Sequence, residues 1–233
     1  MNCAGRAAIF AVAVLTAMVV WGWIHQTPMN ARSLIVGGVT ICALLLLGAI
    51  NTLIRNRNNI QQEAMATEQE RLATHDGLTG IPNRRLFDAV AETESRKAAV
   101  LHESVSVIIA DLDHFKQVND EHGHPLGDEV LKAAAQRLRS VLREHDIVAR
   151  WGGEEFIVLL PGTDAETAST VAELMRERLS KQDLVFGIRV TGSFGVATVR
   201  PVGEMDMKGL IHQADDALYK AKRGGRDRVE AAE

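Results

Sequence analysis

The sequence predicts an α+β domain, a mainly antiparallel sheet flanked by helices, preceded by a two-helix transmembrane hairpin. Three observations carry this. Residues 7–24 and 34–54 are apolar runs without a charged side chain. From residue 75 onward, strand-like and helix-like segments follow in the order β-α-β-β-α-β with short links. At the centre of that order stands 147–160, IVARWGGEEFIVLL, two β-favouring runs around a Gly-Gly pair, which is the pattern of a hairpin.

The totals bound the function. A chain of 233 residues is one soluble domain with an appendage, or two small domains. Its net charge of -4 and pI near 6.1 give no basic face for nucleic acid, so no nucleic-acid partner is expected. Cys3 and Cys42, the two cysteines, both fall in the N-terminal quarter. The rest of the chain therefore has no disulfide framework and no cysteine metal site, which fits a reducing compartment.

A bilayer-crossing helix needs roughly 20 apolar residues, and both N-terminal runs meet that length. Trp21 and Trp23 end the first run, where interfacial aromatics belong. Only HQTPMNARS separates the runs, with Pro28 as a breaker. Arg6, Arg55 and Arg57 outnumber Arg32, which places both termini in the cytoplasm. A cleaved signal peptide competes for the first run, but no small-x-small cleavage site follows it. Residues 55–74 form a helical linker continuous with the second span, either a short coiled coil on a poor heptad (Leu53, Ile60, Thr67, Thr74) or a solvated helix.

The globular domain is expected over residues 75–233. HDGLTGIPNRRLF packs turn formers ahead of a helix led by Leu86, Phe87 and Val90. Residues 104–111 read as a strand, and 125–142 as a helix whose apolar side is Val130, Leu131, Ala134, Leu138 and Val141. The hairpin follows, then a helix over 165–179, a strand over 188–199 and a last helix over 207–222. The order gives a ferredoxin-like arrangement.

The candidate chemistry lies in two acidic clusters. Glu154 and Glu155 follow the hairpin glycines directly, and Asp111 and Asp113 stand where the first strand ends. GGEE by itself is a tight turn with solvated acids. If the strand and hairpin are sheet neighbours, however, Asp111 and Glu154 face each other at one edge. Carboxylates meeting beside bare backbone make an all-oxygen site suited to Mg²⁺, which keeps positions for water and substrate phosphates. Lys116, just downstream, can neutralise phosphate as a compact cation.

The motifs DGLTGIPNRR, DLDHFKQVND, HGHPLGDEVL, RWGGEEF and ADDALYKAKRGGR, in that order, resemble the GGDEF domain of the diguanylate cyclases, here with GGEEF. The resemblance covers His75 to about Arg228 and implies a nucleotidyl-cyclase palm. It implies condensation of two GTP into cyclic di-GMP and pyrophosphate, with Mg²⁺ (or Mn²⁺), across a homodimer of half-sites. Asp111, the Leu112 carbonyl and Glu154 resemble the family's metal ligands. Glu154 is also the candidate for activating the 3′-hydroxyl, and Glu155 matches the motif's other essential acid, with metal and base roles undivided between them. Lys116 matches a phosphate contact, and Lys222 and Arg226 match a pair that reaches the triphosphate.

Asn119 and Asp128 match guanine readers, which fits the chemistry: a carboxylate accepts from guanine N1–H and N2–H₂ together. His124 lies between them, either on the nucleotide or packing the loop. Arg143 and Asp146 fit the family's RxxD inhibitory site for cyclic di-GMP, with Arg176 or Arg178 completing it. The alternatives are a catalytically silent, membrane-lipid-anchored module binding cyclic di-GMP or GTP, and a cyclase for another nucleotide. The retained acids and lysine argue against the first, Asn119 and Asp128 against the second.

Overall fold

The computed structural model describes residues 14, 16–18, 20–22, 25, 29–181, 183–185 and 187–232. Of the predicted first span, residues 14, 16–18 and 20–22 are described and are helical. The rest of that span and residues 26–28 of the predicted turn lie outside the described residues, so the two-helix hairpin is not shown; residues 29–33, expected in the turn, already belong to the helix that follows. The chain divides into two compact units, Met1–Ala66 and Thr67–Glu233.

Helix α1 (Met29–Thr74) runs unbroken through the second apolar run and the linker, and residues 55–74 hold no Gly or Pro to end it. Among the described residues one helical stretch, Val36–Thr74, is long and apolar enough to cross a membrane. Its described apolar side chains up to Met65 are exposed. Thr40 and Thr52 turn their hydroxyls back onto the carbonyls of Val36 and Gly48, so neither polar group needs an outside partner.

The second unit is a five-stranded sheet between two layers of helices. Its elements are α2 (Arg84–Leu101), β1 (Val105–Leu112), α3 (Phe115–His122), α4 (His124–Arg139), β2 (Ile147–Gly152), β3 (Glu155–Pro161), α5 (Ala165–Ser180), β4 (Gly192–Val199), α6 (Met207–Arg223) and β5 (Val229–Ala231). The strand order is β2-β3-β1-β4-β5, antiparallel except for the parallel pair β4–β5. The sheet is thus mixed, with one parallel edge.

β1 is central and shows why its sequence is apolar on both faces. Ile108, Ala110 and Leu112 pack with Val130, Leu131, Leu138, Met175 and Leu179 of α4 and α5. Val105, Val107 and Ile109 pack with Phe87, Ala91, Leu210 and Leu218 of α2 and α6. A Cβ on Gly195 of β4 would lie 2.1 Å from the Ala214 carbonyl oxygen and 2.2 Å from the Leu218 nitrogen, so α6 rests its backbone directly on the strand.

Two boundaries differ from the sequence expectation by three residues or more. The helix over 125–142 stops at Arg139 because Val141 and Leu142 bond three residues back in a tighter turn. The strand over 188–199 starts only at Gly192: the Ile188 amide and carbonyl are spent on Val185 and Leu184 in a turn through Gly187, at φ +84°. Two elements are not predicted, the two-turn helix α3 that begins in DLDHFKQVND and the three-residue β5. Both are too short for a periodic signal.

Candidate active site

The site forms where β1 ends beside the β2–β3 hairpin. Gly152 pairs with Glu155, and Gly153, at φ +53°, makes the turn with Glu154; the register shifts between Arg150 and Gly152. The β1–β3 register, which runs without a shift to the strand end, corrects the expected pairing. The residue opposite Asp111 is Glu155, and Glu154 stands one place out on the turn. There its carbonyl accepts a 3.4 Å hydrogen bond from the Leu112 amide.

The two glutamates therefore serve different spaces. Glu154 lines a cavity of about 500 Å³ together with Lys116, Asn119, His124, Asp128 and Arg150. Glu155 lines a groove of about 1210 Å³ between α2 and α6, with Trp151, His212 and Asp215. The smaller cavity is the candidate nucleotide site, since it gathers the predicted guanine and phosphate residues. Asp111, Leu112, Lys222 and Arg226 do not line it.

Lys222 Nζ lies 2.7 Å from Asp111 Oδ2. Burial pushes the Asp111 carboxyl above its ordinary value against the pull of Lys222, and Glu154 and Asp113 push the same way. Burial also raises Glu155, helped by Asp111, Asp215 and Glu154 and opposed by Lys222. The cluster is short of positive charge, and the Lys222 ammonium already sits where a cation would be welcome. Among the described residues, no three Asp, Glu, His or Cys side chains converge as a ready metal cluster. Carboxylates at Asp111 with Glu154 or Glu155, plus a main-chain carbonyl, suit an ion that leaves its other positions to phosphate and water.

The hairpin tip is braced by groups that the sequence reading passed over. Arg150 Nε and Nη2 donate to the Gly153 carbonyl at 2.9 and 2.8 Å, while Nη1 reaches both Asp76 oxygens at 3.1 and 3.2 Å. Asp76 in turn accepts from the Thr79 amide and hydroxyl. Behind the tip, Trp151 meets Phe87 edge-on at 5.7 Å, and the Arg84 guanidinium lies 4.1 Å over its ring. Asn83 ties this corner to the end of α1, accepting from the Leu86 amide and donating to the Ala73 carbonyl.

Arg143 and Asp146 share a turn in which Asp146 Oδ2 accepts from the Arg143 amide at 2.9 Å, and the Arg143 side chain is exposed. Of the two arginines offered to complete that site, Arg176 is engaged, bonding Glu173 and Asp227. Arg178 is exposed.

Gly127 is a further residue missed from sequence. A Cβ there would meet Asn119 Oδ1 at 1.9 Å and Phe115 at 3.3 Å, so the bare backbone of α4 lets Asn119 sit where it does. Gly127→Ala is helix-compatible and will leave the melting temperature nearly unchanged. It will displace Asn119 and raise the KM for the nucleotide about tenfold, the value of one hydrogen bond to a charged or strongly polar group. Steady-state kinetics beside a thermal melt checks this; an unchanged KM removes Asn119 from the base pocket.

Residues 73–228 match the family described as "Diguanylate cyclase, GGDEF domain". The chain is 41% identical over 172 residues to diguanylate cyclase DgcM of Escherichia coli K12, a match covering 74% of this chain and 42% of that protein. It is 37% identical over 193 residues to diguanylate cyclase DgcP of Pseudomonas aeruginosa, covering 79% and 28%. The chain thus spans less than half the length of these curated relatives. Among solved structures, the coiled coil and GGDEF domain of DgcB from Caulobacter crescentus, in complex with c-di-GMP, superposes with a TM-score of 0.71 at 32% identity. That match covers 77% of this chain and 97% of DgcB's. The active GGEEF domain of a Vibrio cholerae diguanylate cyclase gives 0.62 at 37% identity, covering 65% and 97%.

Proposed function

We propose, since the chain belongs to the GGDEF domain family of diguanylate cyclases, that it is a membrane-anchored diguanylate cyclase. It condenses two GTP into cyclic di-GMP with release of two pyrophosphates, in a homodimer of apposed half-sites. The observation that carries this is the cavity where Asn119, Asp128, Lys116 and Glu154 meet beside the half-buried Asp111.

Asn119 and Asp128 read the guanine edge, and an adenine leaves the Asp128 carboxylate without its donor pair. His124 closes the cavity beside them. Glu154 takes the proton from the 3′-hydroxyl as that oxygen bonds to the α-phosphorus of the opposed nucleotide, and pyrophosphate leaves. Lys116, Lys222 and Arg226 hold the phosphates. Asp111, the Leu112 carbonyl, Glu154 and Glu155 are the groups that would hold Mg²⁺ or Mn²⁺, which when bound supplies positive charge against the phosphate oxygens. The 34–54 stretch of α1 anchors the chain in the bacterial cytoplasmic membrane. Residues 7–24 add the second crossing, and the domain faces the cytoplasm.

Arg143 and Asp146 take cyclic di-GMP as a feedback inhibitor, with Arg178 as the second arginine because Arg176 is already paired. The test uses the full-length chain in nanodiscs with GTP and Mg²⁺, products identified by mass. Cyclic di-GMP is the expected product; a folded dimer that makes none overturns the assignment. Arg143→Ala is expected to keep the initial rate and raise the product plateau several-fold. An unchanged plateau removes the feedback site.

A further inference from the structure

Asp113 stands two residues past Asp111 and is assigned no role in the reaction above. It is 5% exposed, a buried carboxylate in no ion pair among the described residues. Its oxygens instead collect three donors: Ser193 Oγ at 2.7 Å, Thr191 Oγ1 at 2.7 Å and the Asp227 main-chain amide at 3.0 Å. The first two are β4 and its approach, which hold the carboxylate in place. The third belongs to the turn that follows α6.

That turn is strained. Arg226 and Asp227 are consecutive non-glycine residues in the left-handed region, at φ 62° and 44°. Such a conformation persists only where surrounding contacts over-determine it. Here they do. The Arg226 amide bonds the Ala221 carbonyl, the Asp227 amide bonds Asp113, and the Asp227 carboxylate takes Arg176 Nη1 at 2.7 Å. The Arg226 guanidinium is exposed, with its main chain one residue from the Asp113 contact.

We propose that Asp113 is a positioning residue: by holding the Asp227 amide it fixes the left-handed turn and so aims Arg226 at the nucleotide phosphates. Arg176 is the second strut, from α5. The inference rests on the cyclase reading for the identity of the nucleotide. Lys222 is held separately, through Asp111 from within α6. Loss of Asp113 therefore acts through Arg226 and leaves Lys222 in place.

The test is a double-mutant cycle on the full-length chain in nanodiscs. Asp113→Asn puts an amide nitrogen, which has no lone pair to offer, among three donors. Asp113→Asn and Arg226→Ala are each expected to raise the KM for GTP about tenfold, with kcat within about twofold, as for one lost hydrogen bond to a charged group. The double variant should be no worse than either, because both remove the same contact. A purely structural Asp113 gives multiplying effects, or a lower kcat at unchanged KM, and overturns the proposal. If Asp113→Asn does not fold, Asp227→Pro removes the donated N–H and the left-handed φ with Asp113 untouched, and the same KM rise is expected. Affinity for a non-hydrolysable GTP analogue is measured on every variant. A wild type that binds the analogue yet makes no cyclic di-GMP defeats the cyclase reading alone, and the cycle is then read on affinity. A wild type that does not bind it overturns both.

Discussion

Glu154→Gln will stop cyclic di-GMP synthesis, lowering the turnover rate about a thousandfold, within the range for loss of a general base. The substitution changes almost nothing else. Glu154 sits on the hairpin turn, its main chain held by Leu112 and by the Arg150 clamp on Gly153, and glutamine has the same shape. What disappears is the ability to take a proton and one negative charge beside Asp111. Affinity for a non-hydrolysable GTP analogue, measured by calorimetry, will stay within a few-fold because Asn119, Asp128 and Lys116 are untouched. A variant that keeps a tenth of the wild-type rate moves the base away from Glu154. Glu155→Gln then becomes the next variant to assay, since Glu155 is the acid paired with Asp111 across the strands.

Gly195→Ala will cost about 3 kcal/mol of stability, the upper end for overpacking, and lower the melting temperature by roughly 6–12 °C. The added Cβ would need the space of the Ala214 carbonyl and the Leu218 amide. Those are main-chain atoms of a helix, so no rotamer change can make room. α6 must lift from β4, and with it go Ala214, Ala217 and Leu218, all buried. Differential scanning calorimetry checks this. Gly203, with nothing near its Cβ but a φ of +102°, is a different case in which only backbone strain would act. A melting temperature for Gly195→Ala within 2 °C of wild type would mean that the α6–β4 contact is looser than described.

The sequence carried the strands and long helices because their apolar periods extend over several residues. Val105, Val107 and Ile109 declare one face of β1, and Ile108 and Ala110 the other. The acids at the strand end and hairpin tip were legible for the same reason, since the ends of periodic segments are countable. The face each glutamate takes was not. It turns on which of the two pairs with Asp111 in the β1–β3 register, and a one-residue slip exchanges the two sides of a strand. Arg150 and Asp76 lie 74 positions apart, and nothing local in either stretch announces their contact. Asp113 looked like one more acid in an acidic run. Only its three donors, drawn from β4, from the approach to β4 and from the turn after α6, separate it from Asp111.

β1 lies between β3 and β4, with helices on both faces, and Asp111 sits at its end. A strand paired on both sides opens only with much of the sheet, and Asp111, paired with Glu155 on one side and Ser193 on the other, opens with it. A signal cannot tune this half-site by loosening it without melting the domain. Under the proposed reaction, control must fall on how often two intact half-sites meet. The output is then set by encounter geometry between subunits, with the chemistry of each subunit held constant.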